Sequence, residues 1–213
     1  MKSLLHIAVS PREGASHSRQ AAHQLITGLQ ERGPVRVIKR DLAVTPLPHP
    51  DQAFVTASLC PPARRNQQQE QVLALSDMLI NELVLADAVL ISTPMHNFAL
   101  PSVLKAWVDH IVRPHRTFIS TAQGKQGLLQ DKPVALLLAC GGAVADIADV
   151  ADESGPVVDG MQKDWATPYL RHIFQTMGIR SFQSVLLQNC NRDVSLRQAS
   201  LDRLRGWQQN WPW

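Results

Sequence analysis

Residues 4–18 read LLHIAVSPREGASHS, which is an apolar strand, a loop rich in hydroxyl side chains and the start of a helix. The first turn of a helix leaves N–H groups unpaired and carries the positive end of the helix dipole, so it stabilises an anion. Ser10, Ser16, His17 and Ser18 place hydroxyls and an imidazole at this position. The segment therefore predicts a phosphate site, and a plain serine cap of the helix is the simpler alternative.

The loop lacks both common nucleotide signatures. It contains no G-x-G-x-x-G, which is typical of a dinucleotide pyrophosphate site, and no G-x-x-x-x-G-K-[ST], which is typical of a triphosphate with magnesium. A loop that offers hydroxyls and backbone amides suits one terminal phosphomonoester, such as that of FMN.

Five apolar, strand-like runs alternate with helix-period segments at residues 4–9, 35–39, 88–92, 134–139 and 182–187. Strands that are apolar on both faces are typical of a parallel sheet covered by helices on each side. The pattern predicts an α/β protein with a flavodoxin-like three-layer sandwich and a five-stranded parallel sheet in the order 2-1-3-4-5. We expect residues 1–213 to form a single domain of this kind.

Two connections are long for such a fold. Residues 41–66 contain five prolines, and residues 143–163 are rich in small and acidic side chains. Loops of this length are uncommon in compact domains unless they serve as lids, interfaces or mobile segments, so we expect one of these roles for each.

Composition narrows the functional classes. Hydrophobic residues make up 45% of the 213 residues, and the net charge of +3 is scattered, so we expect a globular protein that binds no nucleic acid. The three cysteines have no C-x-x-C spacing, which argues against disulfides and a metal site and favours a reducing cytoplasm. We find no signal peptide and no apolar run near the roughly 18 residues of a membrane span, so we expect no membrane insertion.

Three loops at the carboxyl ends of strands are expected to converge, because ligands bind at that edge of a doubly wound sheet. Besides the loop at residues 10–18, the candidate cofactor contacts are Pro94, Met95, His96, Asn97 and Phe98 after the third strand, and Ala139, Cys140, Gly141 and Gly142 after the fourth. Backbone amides of these loops can hydrogen-bond the edge of an isoalloxazine ring, and glycine allows close approach.

Four further motifs accompany the first loop. They are P-M-[YH]-N-F at residues 94–98, the stretch 69–77, Thr117-Phe118 and the stretch 167–170. In this order, and over nearly the whole chain, they resemble the FMN-dependent NADH azoreductases within the flavodoxin-like quinone reductases. The resemblance implies a homodimer that binds FMN and uses NADH or NADPH to reduce a quinone or azo compound by two-electron ping-pong hydride transfer. It also implies that Phe118 lines the substrate pocket and that FMN, rather than a side chain, carries the hydride chemistry.

The chain departs from that pattern at two of the candidate cofactor contacts, among other places. His96 stands where the family usually has an aromatic residue, and it is either a proton donor or a residue that packs on the flavin. Cys140 stands where the family commonly has an arginine, and a cysteine at the end of a buried strand is more often inert than reactive.

Two other functions remain open on the same fold. A flavodoxin-like electron carrier would pass single electrons to protein partners, although such carriers are typically shorter and acidic. A flavin-free binding protein is the second alternative, because a fold does not determine a function.

Overall fold

The computed structural model describes residues 1–144 and 161–190, together with residues 202, 204, 206 and 211. Five parallel strands form one sheet: β1 (Lys2–Ala8), β2 (Val35–Asp41), β3 (Ala88–Pro94), β6 (Val134–Ala139) and β7 (Phe182–Leu187). Their order is β2-β1-β3-β6-β7, and a separate antiparallel hairpin consists of β4 (Phe118–Thr121) and β5 (Gly124–Gly127). Without the hairpin this is the order 2-1-3-4-5, so the predicted topology is confirmed.

The described helices are α1 (His17–Arg32), α2 (Gln52–Leu59), α3 (Gln67–Leu85), α4 (Ser102–Ile111) and α5 (Ala166–Met177). Their ends follow local chemistry. Asn66 and Gln69 form a capping box at the start of α3, and Gly178 ends α5 in the left-handed conformation with φ 103°. In the described parts of the chain, no helix combines the length and hydropathy that crossing a bilayer requires.

Alternate residues of β1 build two cores, one on each face of the sheet. Leu5 and Ile7 face a core that α3, α4 and α5 cover, whereas Leu4 faces the core under α1. Leu204 and Trp211 are also buried on the α1 face. Helices on both faces make the predicted three layers and leave the carboxyl edge of the sheet to the loops.

The connection at residues 41–66 differs from the expected loop, because it contains α2. Asp51 caps this helix by accepting a hydrogen bond from the N–H of Phe54 at 2.8 Å, and the Phe54 ring packs edge-on against His110, with centroids 4.9 Å apart. A helix of eight residues behind three closely spaced prolines gives little periodic signal. Of the other long connection, residues 145–160 lie outside the described part of the chain.

Candidate cofactor site

The loop after β1 carries buried hydroxyl groups in front of α1. Ser16 caps α1, since its Oγ accepts a hydrogen bond from the N–H of Arg19 at 3.3 Å. Capping accounts for Ser16, but Ser10 and Ser18 are also buried, and the Ser18 Oγ lies 3.2 Å from that of Ser16. Hydroxyls that are buried beside a helix start are placed for an anionic ligand as well as for a cap.

The loop after β3 contains a tight turn with unusual backbone angles. His96 and Ala99 exchange two backbone hydrogen bonds, of 3.1 and 2.9 Å, around Asn97 and Phe98. Both central residues have positive φ, 48° and 67°, which is the signature of a type I′ turn. The left-handed region is costly for a bulky residue such as phenylalanine. The turn leaves the Phe98 side chain 50% exposed.

The loop after β6 is joined to its neighbours on both sides by backbone hydrogen bonds. The N–H of Met95 donates to the carbonyl of Ala139 at 2.8 Å, and the N–H of Cys190 donates to the carbonyl of Cys140 at 3.0 Å. Burial raises the pKa of the Cys140 thiol to about 12, so this thiol is protonated at neutral pH. An added Cβ at Gly142 would lie 3.5 Å from the side chain of Gln162, an ordinary contact, so protein packing does not require glycine there.

These loops enclose a cavity of about 160 Å³ at the carboxyl edge of the sheet. Its lining is formed by Ser10, Arg12, Ser16, His17, Ser18, Pro94, Met95, His96, Ala139, Cys140, Gly141 and Cys190. The structure thus brings together most of the candidate cofactor contacts.

The remaining candidates lie outside this lining. Asn97 and Phe98 form the exposed turn beside it, and Gly142 follows Gly141 in the chain. Phe118 is buried in the β4–β5 hairpin, where Lys125 Nζ lies 4.8 Å from its ring centroid. A role of Phe118 in substrate binding stays a prediction.

Two lining residues were missed at the sequence level. Arg12 lies within the first loop and adds a positive charge, and its N–H donates to Ser10 Oγ at 3.3 Å. Cys190 follows the carboxyl end of β7, which pairs with β6, the last of the three strands whose ends were considered. The same rule of strand ends would have found Cys190 if it had been applied to the fifth strand.

The residues that line the cavity match the chemistry of FMN. The hydroxyls of Ser10, Ser16 and Ser18 and the first turn of α1 can accommodate a phosphate, and no acidic residue belongs to the described lining. Pro94 and Met95 add apolar surface to the same lining, and the loops after β3 and β6 are held together by hydrogen bonds. Hydroxyls and apolar surface in one lining suit a flavin mononucleotide.

Comparison with known proteins adds an independent observation. A protein-family model described as a flavodoxin-like fold matches residues 2–210, almost the whole chain. The chain belongs to this flavodoxin-like family. Among its relatives in the family, a Cupriavidus pinatubonensis protein named FMN-dependent NADH:quinone oxidoreductase 2 is 48% identical over 208 residues, with 97% of this chain and 96% of the relative covered. A Pseudomonas fluorescens protein named FMN-dependent NADH:quinone oxidoreductase 4 is 38% identical, with 96% and 93% covered.

Solved structures share the fold of this flavodoxin-like chain. An azoreductase from Bacillus anthracis superposes with a TM-score of 0.82 at 22% identity, with 99% of this chain and 100% of that chain covered. An FMN-dependent NADH-azoreductase from the same species, solved in complex with FMN, gives a TM-score of 0.81 at 21% identity, with 99% of both chains covered.

Proposed function

We propose that the protein is an FMN-dependent NADH:quinone oxidoreductase that also accepts azo compounds. The observation that supports this most is the cavity between the loops after β1, β3 and β6, which is lined by buried hydroxyls, a helix start and the apolar side chains of Pro94 and Met95. Relatives of 48% and 38% identity over nearly the full length carry this enzyme name, and the loops that line the cavity lie within the matched segment.

The residues of the chain bind and orient rather than react. Ser16, Ser18 and the first turn of α1 would hold the phosphate, since hydroxyls and N–H groups donate hydrogen bonds to an anion. Met95 and the turn at residues 96–99 would lie along the ring, and the N–H groups of Asn97 and Phe98 would face its polar edge, since those of Met95, His96 and Ala99 donate within the protein. The chemistry that FMN supplies when bound is two-electron hydride transfer, from NADH or NADPH and then to a quinone or azo compound.

An experiment can distinguish between two roles of the His96 side chain. It is exposed and lines the cavity, so it is placed either to donate a proton to a reduced quinone or to pack on the ring. A His96→Gln variant distinguishes these roles, because a proton donor matters for a quinone but not for ferricyanide, a one-electron acceptor that takes up no proton. Selective loss of quinone turnover identifies a proton donor, and equal loss with both acceptors identifies packing.

Flavin uptake and steady-state kinetics test the proposed function. We expect the purified protein to bind FMN and to oxidise NADH with a quinone, giving parallel double-reciprocal lines. Ser18→Ala should weaken FMN binding, whereas Ser58→Ala, which changes a buried serine on α2 outside the cavity lining, should leave it unchanged.

The two alternatives predict other results. A preparation that takes up no FMN would overturn the proposal in favour of a flavin-free binding protein. FMN binding without two-electron quinone reduction would instead favour an electron carrier.

We also propose a homodimer in the cytoplasm. Two large aromatic side chains beside the cavity, Phe98 and Trp165, are each 50% exposed, and the N–H of Trp165 donates to the carbonyl of Phe98 at 3.0 Å. Aromatic side chains are enriched in protein interfaces, so a second subunit is the partner that we expect over this rim. Sedimentation velocity of the wild type and of a Phe98→Ser/Trp165→Ser double variant tests this proposed dimer, with dissociation expected in the variant.

The proposed cytoplasmic location is supported by the three free cysteines, which agree with a reducing compartment.

A further inference from the structure

A salt bridge behind the first loop is not part of the cavity lining, yet it is bonded to that loop. We propose that Arg19, held by Asp41, is a positioning residue that fixes Ser10 and thereby sets the affinity for the phosphate of FMN. This inference rests on the proposed function, because it assigns a residue to the binding of the same cofactor.

Arg19 joins three segments of the chain. Its Nε donates to the backbone carbonyl of Ser10 at 2.8 Å, and its two terminal nitrogens donate to the two carboxylate oxygens of Asp41 at 2.6 and 2.7 Å. The side chains of Arg19 and Asp41 are only 16% and 14% exposed. One planar guanidinium therefore connects the loop after β1, the first turn of α1 and the end of β2. Its two-pronged hydrogen bonding to the carboxylate fixes the orientation of the Arg19 side chain.

Asp41 is itself a fixed anchor for this arginine. The residue after it, Leu42, donates its N–H to the carbonyl of Ala8 at 2.8 Å, and the Asp41 carbonyl accepts from Thr45 at 3.0 Å. The hydrogen bonds from Arg19 hold the pKa of the Asp41 carboxyl well below its usual range, so the pair stays charged at neutral pH. The guanidinium is therefore oriented by the sheet and not by solvent.

The guanidinium of Arg19 donates to Ser10 and Asp41, so Arg19 acts through Ser10 and not on a ligand directly. Ser10 is buried and lines the cavity, and its Oγ accepts the N–H of Arg12. Fixing the Ser10 carbonyl fixes the direction in which the loop continues past the cavity. Such a residue should affect the phosphate end of the cofactor more than the ring end.

Two cations compensate the Asp41 carboxylate behind the loop. They are Arg19 and Lys39, whose Nζ lies 3.2 Å from that carboxylate. Loss of Arg19 would leave the Asp41 charge less compensated at a buried position, which repels a phosphate as well as releasing the loop.

A comparison of FMN with riboflavin, which lacks the phosphate, tests the positioning role. Dissociation constants of both flavins are measured by flavin fluorescence on apoprotein of the full chain, for the wild type, Arg19→Met and Asp41→Asn. We expect about tenfold weaker FMN binding in Arg19→Met, the effect of losing a charged hydrogen bond, with riboflavin binding changed less than twofold. In Asp41→Asn we expect a smaller weakening in the same direction, because the release of Arg19 is partly offset by the loss of the carboxylate charge. Asp41→Asn retains the shape of the side chain and keeps the test valid if Arg19→Met folds poorly.

Arg40 provides the matched control. Arg40 directly precedes Asp41 in β2 and forms an ion pair with Glu82 of α3. This pair is half-buried like that of Arg19, with side chains 19% and 18% exposed. Arg40→Met should therefore change folding stability without changing the ratio of the two dissociation constants.

Three results would overturn the inference, and they differ from one another. Equal weakening of FMN and riboflavin in the Arg19 and Asp41 variants would mean a merely structural role. A preserved preference for FMN in both variants would mean that Arg19 does not position the phosphate loop, although the proposed function would stand. A wild-type protein that binds neither flavin would remove the proposed function, and this inference with it.

Discussion

His6 and Ser92 are hydrogen-bonded across β1 and β3, with 2.8 Å between Nε2 and Oγ, in the buried layer behind the first loop. His6 is only 7% exposed, and the cations of Lys39 and Arg19 lie nearby. Burial, followed by the charge of Lys39, lowers the pKa of His6 to about 4. The folded protein therefore holds a neutral imidazole at pH values where the unfolded chain binds a proton.

This difference predicts that lowering the pH reduces the free energy of unfolding within a defined pH range. Between about pH 6.5, the ordinary value for histidine, and about pH 4, the unfolded state binds one more proton than the folded state. Stability should decline by about 1.4 kcal/mol per pH unit there, and by roughly 3 kcal/mol in total. Urea unfolding between pH 7.5 and pH 4.5 measures this slope.

His6→Gln isolates the contribution of the imidazole. Glutamine keeps a hydrogen-bonding group for Ser92 but binds no proton in this range. We expect the slope of the variant to be flatter than that of the wild type by about one proton. The Asp41 carboxyl, whose pKa is lowered, loses its stabilising contribution only below about pH 4, outside this window. Identical slopes for the two proteins would contradict the assignment.

We expect substitution of Gly127, which lies far from the cavity, to reduce folding stability strongly. An added Cβ there would lie 2.1 Å from the backbone nitrogen of Gly178 and 2.3 Å from the carbonyl carbon of Met177, where no flexible side chain can move aside. We expect Gly127→Ala to lower the free energy of unfolding by about 3 kcal/mol. An added Cβ at Gly14 would meet nothing within 4 Å, so Gly14→Ala should change it by less than about 0.5 kcal/mol. Equal urea midpoints for the two variants would refute the close approach.

The sequence predicted all five strands of the sheet, because each contains a short group of apolar residues, although β2 (VRVIKRD) and β7 (FQSVLL) also contain polar ones. Residues 134–139 and 182–187 were predicted with the bounds that the structure has. The β4–β5 hairpin was not predicted. Its strands are four residues each and largely exposed, and its position depends on the tertiary contact between Gly127 and Gly178, which no local pattern reports.

The candidate site was predictable to the extent that it follows from strand ends. Ser10, Met95 and Cys140 all lie directly after parallel strands, so topology alone brings them to one cavity. Arg19 was not predictable in this way, because its role depends on a salt bridge to Asp41, 22 residues away in the chain. Long-range side-chain pairs become visible only when the register of β1 and β2 is known.

We expect replacement of Phe98 by glycine to relieve backbone strain but to weaken quinone binding. Its φ of 67° lies in the left-handed region, which glycine adopts without strain. We expect Phe98→Gly to have a free energy of unfolding about 1 kcal/mol above that of Phe98→Ala and to raise the KM for quinone, since the exposed ring beside the cavity is lost. Phe98→Ala removes the same ring but keeps the strain, so it should raise KM without the gain in stability. A lower stability of Phe98→Gly than of Phe98→Ala would exclude strain at this turn.

The three cysteines provide a last prediction, which reports on the cavity without any substitution. Cys140 and Cys190 line the cavity, whereas Cys60 ends α2 outside that lining. Because the pKa of Cys140 is about 12, only about one molecule in ten thousand carries its thiolate at pH 8, so iodoacetamide should leave it unmodified until the protein unfolds. Cys60 and Cys190 are half-buried and should react in the native protein.

Adding FMN should slow the alkylation of Cys190, because a ligand in the cavity covers this thiol. The alkylation of Cys60, which lies outside the cavity lining, should stay unchanged. Peptide mass spectrometry of timed samples measures the three rates in one experiment, with Cys60 as the internal control. Riboflavin should protect Cys190 as well as FMN does when each is present at saturation, since Cys190 lies next to Cys140, in the loop expected at the ring. Protection of Cys60 and Cys190 to the same degree would show that FMN acts on the whole protein, and unchanged rates at both would place the flavin elsewhere.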